Sequence, residues 1–288
     1  MAGGTAPRGA SERGLDRRTL IKGAAAAGAA AWTAPVLLDS LTSPAAAAAC
    51  STTPNVTFVT SATSNGDSEF LILQTSGNVS PVSGTTFVVL IATSNGGVGG
   101  SRVSSSVANI SGPPVSGSPT LISSVLNFNN NGTQSTFDFW AYRIAPSSNL
   151  GPLQVLFTSS ASVPAPRNGT MAIYRVGGAT SFTGTSANAG GTGSATASIT
   201  YGNAGSGQAE IWGVTGGDGS ATSFGWGVPA GFNWTEDSDQ FNTANANGFR
   251  AFSFQSARRT TLTANSGGFT TSDGSTPDWA AIRVLCGC

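Results

Sequence analysis

Histidine is absent from the 288 residues, and lysine occurs once, at Lys22. Without them a Ser-His-Asp triad, a Cys-His pair and a His-built zinc site are excluded, and a Schiff-base lysine has no candidate beyond Lys22. Charge of either sign is scarce, at 9% of residues. Past residue 49 the chain keeps 8 basic and 10 acidic residues, a net charge near −2. No basic footprint exists for nucleic acid or for an anionic membrane surface. Long apolar runs are missing as well. The uncharged, Ala-rich stretch Gly23 to Leu38 is interrupted by Thr33 and Pro35 and closed by Asp39, which is too short and weak for a stable membrane span. Beyond residue 50 no helical period is visible, and no Gly-rich motif sits between a strand and a helix to cradle phosphate.

What is present begins with a leader. Arg17 and Arg18 form a twin-arginine pair within Asp16-Arg17-Arg18-Thr19-Leu20-Ile21-Lys22, an Ala-rich segment follows, and Ala45 to Ala49 supply small side chains for a signal peptidase. These features resemble twin-arginine signal peptides of high-GC Gram-positive bacteria. The resemblance implies removal of residues 1–49, the twin-arginine export machinery as a partner, and a secreted mature chain of residues 50–288.

The mature segment reads as strands and turns. Runs such as Thr85–Thr93, Phe137–Ile144, Leu153–Thr158, Met171–Val176, Gln208–Val214 and Trp279–Cys286 are apolar or alternate at period two. Further strands are expected at Asn55–Thr60, Ser68–Gln74, Leu121–Phe128, Ala195–Thr200, Phe249–Phe254 and Thr260–Ala264. Asn65-Gly66, Asn95-Gly96, Asn131-Gly132, Asn168-Gly169, Gly177-Gly178 and Gly267-Gly268 offer turn chemistry. Val98–Gly117 and Ala179–Gly193 read as long Gly/Ser/Thr-rich loops, and no regular internal repeat is visible. The expected fold is all-β: a two-layer antiparallel jelly-roll-like sandwich in one domain, with two small sandwiches split near residue 160 as the alternative.

Several landmarks carry a second resemblance. Phe87–Ala92, Trp140-Ala141-Tyr142-Arg143, Met171-Ala172-Ile173-Tyr174-Arg175-Val176-Gly177, Gly225-Trp226, Phe232-Asn233-Trp234-Thr235 and Trp279-Ala280-Ala281-Ile282-Arg283-Val284 follow one another. In that order they resemble jelly-roll modules of bacterial secreted proteins and phage tail-associated proteins. Ser83-Gly84-Thr85 stands where such modules often place a Gly-Asp turn. The resemblance implies surface attachment or glycan contact and assigns no catalytic residue.

Three cysteines, Cys50, Cys286 and Cys288, sit at the two ends of the mature chain. In an oxidising compartment Cys50 can pair with either partner, closing a loop worth about 5 kcal/mol in the chain-entropy model; lipidation of Cys50 is the competing reading, although Ala47 departs from the usual lipobox leucine. Trp226, Phe232 and Trp234, with Asn233 among them, form an aromatic cluster that either stacks on sugar rings or plugs one end of the sandwich. Glu236, Asp237 and Asp239 offer oxygen ligands for Ca²⁺ or form a solvated acidic turn. Asp138 beside Trp140 and Glu210 beside Trp212 are the best pair for a glycosidase. The functional expectation is a secreted, non-catalytic module binding a cell-envelope or environmental glycan. A self-associating adhesive protein and a two-carboxylate hydrolase are the alternatives.

Overall fold

The computed structural model describes residues 53–64, 72–95, 105–128, 136–158, 168–189, 196–200, 207–218, 226–228, 233–242, 251–260, 266–271 and 277–288. All of them belong to one compact unit, Ala49–Cys288. The described residues contain strands and turns only, so none of them forms a helix long and apolar enough to cross a membrane.

Among the described residues sixteen strands follow one another. The first eight are β1 (Asn55–Ser64), β2 (Ile72–Gln74), β3 (Thr85–Asn95), β4 (Ser106–Ser111), β5 (Val115–Phe128), β6 (Thr136–Pro146), β7 (Gln154–Thr158) and β8 (Asn168–Gly177). The second eight are β9 (Ser181–Ala189), β10 (Thr196–Thr200), β11 (Ala209–Asp218), β12 (Trp226–Gly227), β13 (Thr235–Asn242), β14 (Ala251–Arg259), β15 (Ser266–Thr271) and β16 (Asp278–Gly287). Every ladder is antiparallel.

Strand order reveals an internal duplication. Sheet I runs β1-β8-β3-β6-β5 and sheet II β2-β7-β4. Sheet III runs β9-β16-β11-β14-β13 and sheet IV β10-β15-β12. Adding eight to each strand number of the first half reproduces the second half. Each half is a jelly roll of two layers, so the expected sandwich occurs twice. The halves meet at residues 178–180, where Gly178 adopts φ +78°, a conformation that glycine reaches without a Cβ clash.

Three cores alternate with the four sheets. On β3, Phe87, Val89 and Ile91 face sheet II, whereas Val88, Leu90 and Ala92 face sheet III. This two-sided burial explains the unbroken apolar run there. Sheets I and III share the central core, with Phe137 stacked on Phe252 at 6.2 Å and Phe139 edge-on to Phe254 at 6.0 Å. Large groups of sheet I enter hollows left by glycines of β11. A Cβ on Gly217 would lie 2.0 Å from Phe137 Cζ, and one on Gly213 would lie 2.7 Å from Phe139 Cζ. β5 packs on β9 and β16, while β1 and β8 pack on β13 and β14. This reciprocity is that of an isologous dimer joined into one chain.

The structure corrects several sequence expectations. Both long loops contain strands, β4 in Val98–Gly117 and β9 in Ala179–Gly193. Each is a sheet edge, and few large apolar residues mark it. Asn168-Gly169 and Gly267-Gly268 lie within β8 and β15 instead of in turns. Most of Thr260–Ala264 lies outside the described residues, as do Asn65-Gly66 and Asn131-Gly132.

Candidate ligand-binding site

The aromatic cluster is distributed between core and surface. Trp226 on β12 is 3% exposed and lies over Gly216, where a Cβ would come within 3.0 Å of its Cζ2. Trp234 is half-buried. Its ring meets Trp212 edge-on at 5.3 Å, and the Arg259 guanidinium sits 4.6 Å from its centroid. Both tryptophans therefore pack the core of the second jelly roll, in the manner of the plug reading. Asn233 is exposed, with φ +52°; asparagine tolerates this left-handed turn, which precedes the half-buried Trp234. Phe232 lies outside the described residues.

The acidic residues are committed to structure. Glu210 is fully buried between sheets III and IV and accepts from two arginines, with Arg259 Nε at 2.7 Å and Arg283 Nε at 2.6 Å. Asp138 is fully buried on the face of sheet I toward sheet II, where its Oδ2 accepts from Asn95 Nδ2 and the Ser105 N–H, each at 2.7 Å. The central core of sheets I and III separates the two carboxylates. They do not face each other across a cleft as a glycosidase pair must.

On β13, Asp237 occupies a bulge between Glu236 and Ser238 and is ion-paired with Arg258. Glu236 and Asp239 are exposed. Burial raises all three carboxyls above the usual range; the Arg258 charge opposes this at Asp237, and the Asp239 charge adds to it at Glu236. Among the described residues no group of three or more Asp, Glu, Cys or His side chains converges as a metal site.

Cys286 is a buried free cysteine on the central-core face of β16, and burial, followed by the charge of Glu210, pushes its thiol up to about 12. Cys288 is exposed one residue past the strand, and Cys50 lies outside the described residues.

A cleft of about 250 Å³ opens at one end of the gap between sheets I and III, lined by Thr86, Ser118, Thr120, Arg143, Thr180 and Phe182 among others. Alternation along β6 places Arg143 on the same face as the core residues Phe137, Phe139 and Ala141. It is nonetheless exposed, because it stands where the sheets part. β5 leaves its register with β6 between Ser116 and Thr120, around Gly117 at φ +71°, and so presents Ser118 at the mouth. The Thr180 N–H donates to the Gly287 carbonyl at 2.8 Å and fixes the linker on the cleft's rim. Phe182 packs against the central core and is half-buried. The sequence signal for this site was an arginine at an inward position of Phe137–Ile144; nothing local marked the linker or Phe182.

The duplication supplies an internal comparison. Met171–Val176 aligns with Trp279–Val284 through Ala172/Ala280 and Arg175-Val176/Arg283-Val284. By register, Arg143 beside Val88 then corresponds to Ser256 beside Gly213. Ser256 is fully buried. The fully buried Tyr174 lies beside it, and Phe58 packs edge-on to Tyr174 at 5.6 Å. One mouth of the pseudo-dimer is closed by aromatic rings and the other is open. Compared with known proteins, the chain matches no family model, no curated protein and no solved structure.

Proposed function

We propose that residues 50–288 form a secreted, non-catalytic module that binds cell-surface or environmental carbohydrate after export by the twin-arginine route. The observation that carries this reading is the neutrality of the outer sheets. The six strands of sheets II and IV hold no charged residue. Their solvent faces present hydroxyls and amides, including Ser106, Ser198, Thr196 and Thr270, and a Gln154 Nε2 to Gln74 Oε1 bond of 2.6 Å. Such rigid rows suit the hydroxyls of a neutral polysaccharide. The buried Glu210 and Asp138 clusters act as structure within this reading and offer no paired acid and base.

The test is a pull-down of the purified secreted protein with insoluble polysaccharides and bacterial cell walls. Retention above that of a size-matched control is expected, and no retention on any of them removes the reading. A second reading, self-association, draws on exposed apolar side chains. Ile72 and Leu156 are paired across sheet II, and Leu121 and Leu126 lie on the edge strand β5. Sedimentation velocity over a hundredfold concentration range tests the second reading, which requires concentration-dependent assembly.

Export and covalent closure belong to the same proposal. Replacing Arg17 and Arg18 together by lysine is expected to abolish secretion; normal secretion of that variant would refute the route. Cys50 is proposed to pair with Cys288. Cys286 is buried and free, while Cys288 carries no titrating thiol. Non-reducing peptide mapping of secreted protein should join the peptides holding Cys50 and Cys288.

A further inference from the structure

We infer that the cleft between the two jelly rolls is a binding site for a single carboxylate-bearing sugar ring, with Arg143 as its anchor. The inference rests on the carbohydrate-binding reading and locates its specificity.

Three observations converge. First, Arg143 projects from an inward-facing position into a gap that continues as the central hydrophobic core. Among the described residues no acid pairs with it. Glu210 serves Arg259 and Arg283, Asp237 serves Arg258, and Asp138 faces sheet II. An arginine fork held without a carboxylate at the mouth of a core is shaped for an incoming one. Second, Thr86, Ser118, Thr120 and Thr180 line the cleft with it, together with Phe182. Hydroxyls to bond sugar hydroxyls and an aromatic face to cover the apolar side of a pyranose make a polar-and-aromatic lining suited to a small ligand. The space, about 250 Å³, is just below the ~300–1,000 Å³ typical of drug-sized ligands and fits one ring. Third, the fold does not require this opening. At the pseudo-equivalent position Ser256, Tyr174 and Phe58 close the gap. The open mouth is a property of this end's side chains.

The experiment is titration calorimetry on the purified secreted protein with D-galacturonate and D-glucuronate, with D-galactose and D-glucose as neutral counterparts, and with acetate as the carboxylate alone. A uronate should bind at least tenfold more tightly than its neutral hexose and than acetate, and affinity should fall with added NaCl. Arg143→Gln is expected to abolish the uronate preference, Arg143→Lys to retain part of it, and Phe182→Ala to weaken both uronate and hexose. Arg143 is exposed, so its variants should keep the wild-type melting temperature, which is measured alongside. Equal affinity for uronate in wild type and Arg143→Gln overturns the proposal. Acetate binding as tightly as uronate overturns it too, since the cleft would then be an anion site only, and so does the absence of uronate binding. Polysaccharide pull-down of the same two proteins keeps the outcomes apart. Equal retention with no uronate binding refutes the cleft and leaves the outer sheets as the binding surface. Uronate binding lost in Arg143→Gln without polysaccharide retention supports the cleft and refutes the outer-sheet surface.

Discussion

Glu210, at 0% exposure, holds two guanidinium groups inside the second jelly roll. Glu210→Gln would take a buried carboxylate charge away from both arginines. A loss of about 3–5 kcal/mol is expected, measurable as a shift in the urea midpoint. Glycine is equally constrained at position 217. The Phe137 ring occupies the space a Cβ needs, and Gly217→Ala is expected to cost about 1–3 kcal/mol through overpacking.

Titration adds a pH signature at the same scale. The Cys286 thiol is held at about 12 by burial, and burial also holds the Tyr174 phenol well above its ordinary range. Both folded values exceed the unfolded ones. Their contribution is complete below the unfolded cysteine value of about 8.5 and is lost as pH rises through the folded values. Denaturant midpoints should therefore fall on going from pH 9 to 12, and Cys286→Ala should make that fall shallower. An unchanged slope in the variant would rule out Cys286 as a contributor.

At the level of elements, β12 and the residues just before β13 contribute tryptophans to the second jelly roll. Trp226 and Trp234 pack against sheet III, so Trp226→Ala is expected to destabilise by about 3–5 kcal/mol in thermal or chemical unfolding. A folded, fully stable Trp226→Ala protein would contradict its role as core. Strands covered on both faces were legible in the sequence. β3, β6, β8 and β16 announce themselves through Phe87–Ala92, Phe137–Ala141, Met171–Val176 and Trp279–Val284. β4, β9 and β13 were not legible: each lies at a sheet edge, and their alternation is carried by Ser, Thr, Asn and acidic residues. The duplication was hidden for a different reason. Equivalent inner positions hold complementary volumes, with Val88 and Ala92 of β3 matched by Gly213 and Gly217 of β11, and identities are scattered, among them the alanine and Arg-Val of β8 and β16. The same logic limited the reading of the site. Arg143 was readable as an inward charge, but its partners come from β3, β5 and the linker, brought together only by packing.

As a whole, the molecule resembles a dimer whose two subunits share a spine. The inner faces of sheets I and III are largely apolar and interlock, so separating the jelly rolls would expose that apolar surface to water. Calorimetry of the purified protein should show one cooperative transition whose van't Hoff and calorimetric enthalpies agree. Two resolved transitions would mean that the halves are energetically independent.

The strand order also dictates when the molecule can exist. Among the described residues β1 pairs only with β8, so the Ala62 carbonyl meets the Thr170 hydroxyl 108 positions downstream. A ribosome adding ~5–20 residues per second needs on the order of 5–20 s to deliver that partner, and β1 stays unpaired until then. Sheet III waits longer, because β16, at the very end of the described chain, is inserted between β9 and β11. Folding is thus a post-translational event with slow, distant pairings. Removing residues 278–288 would take away a central strand and leave nascent chains with no native end state.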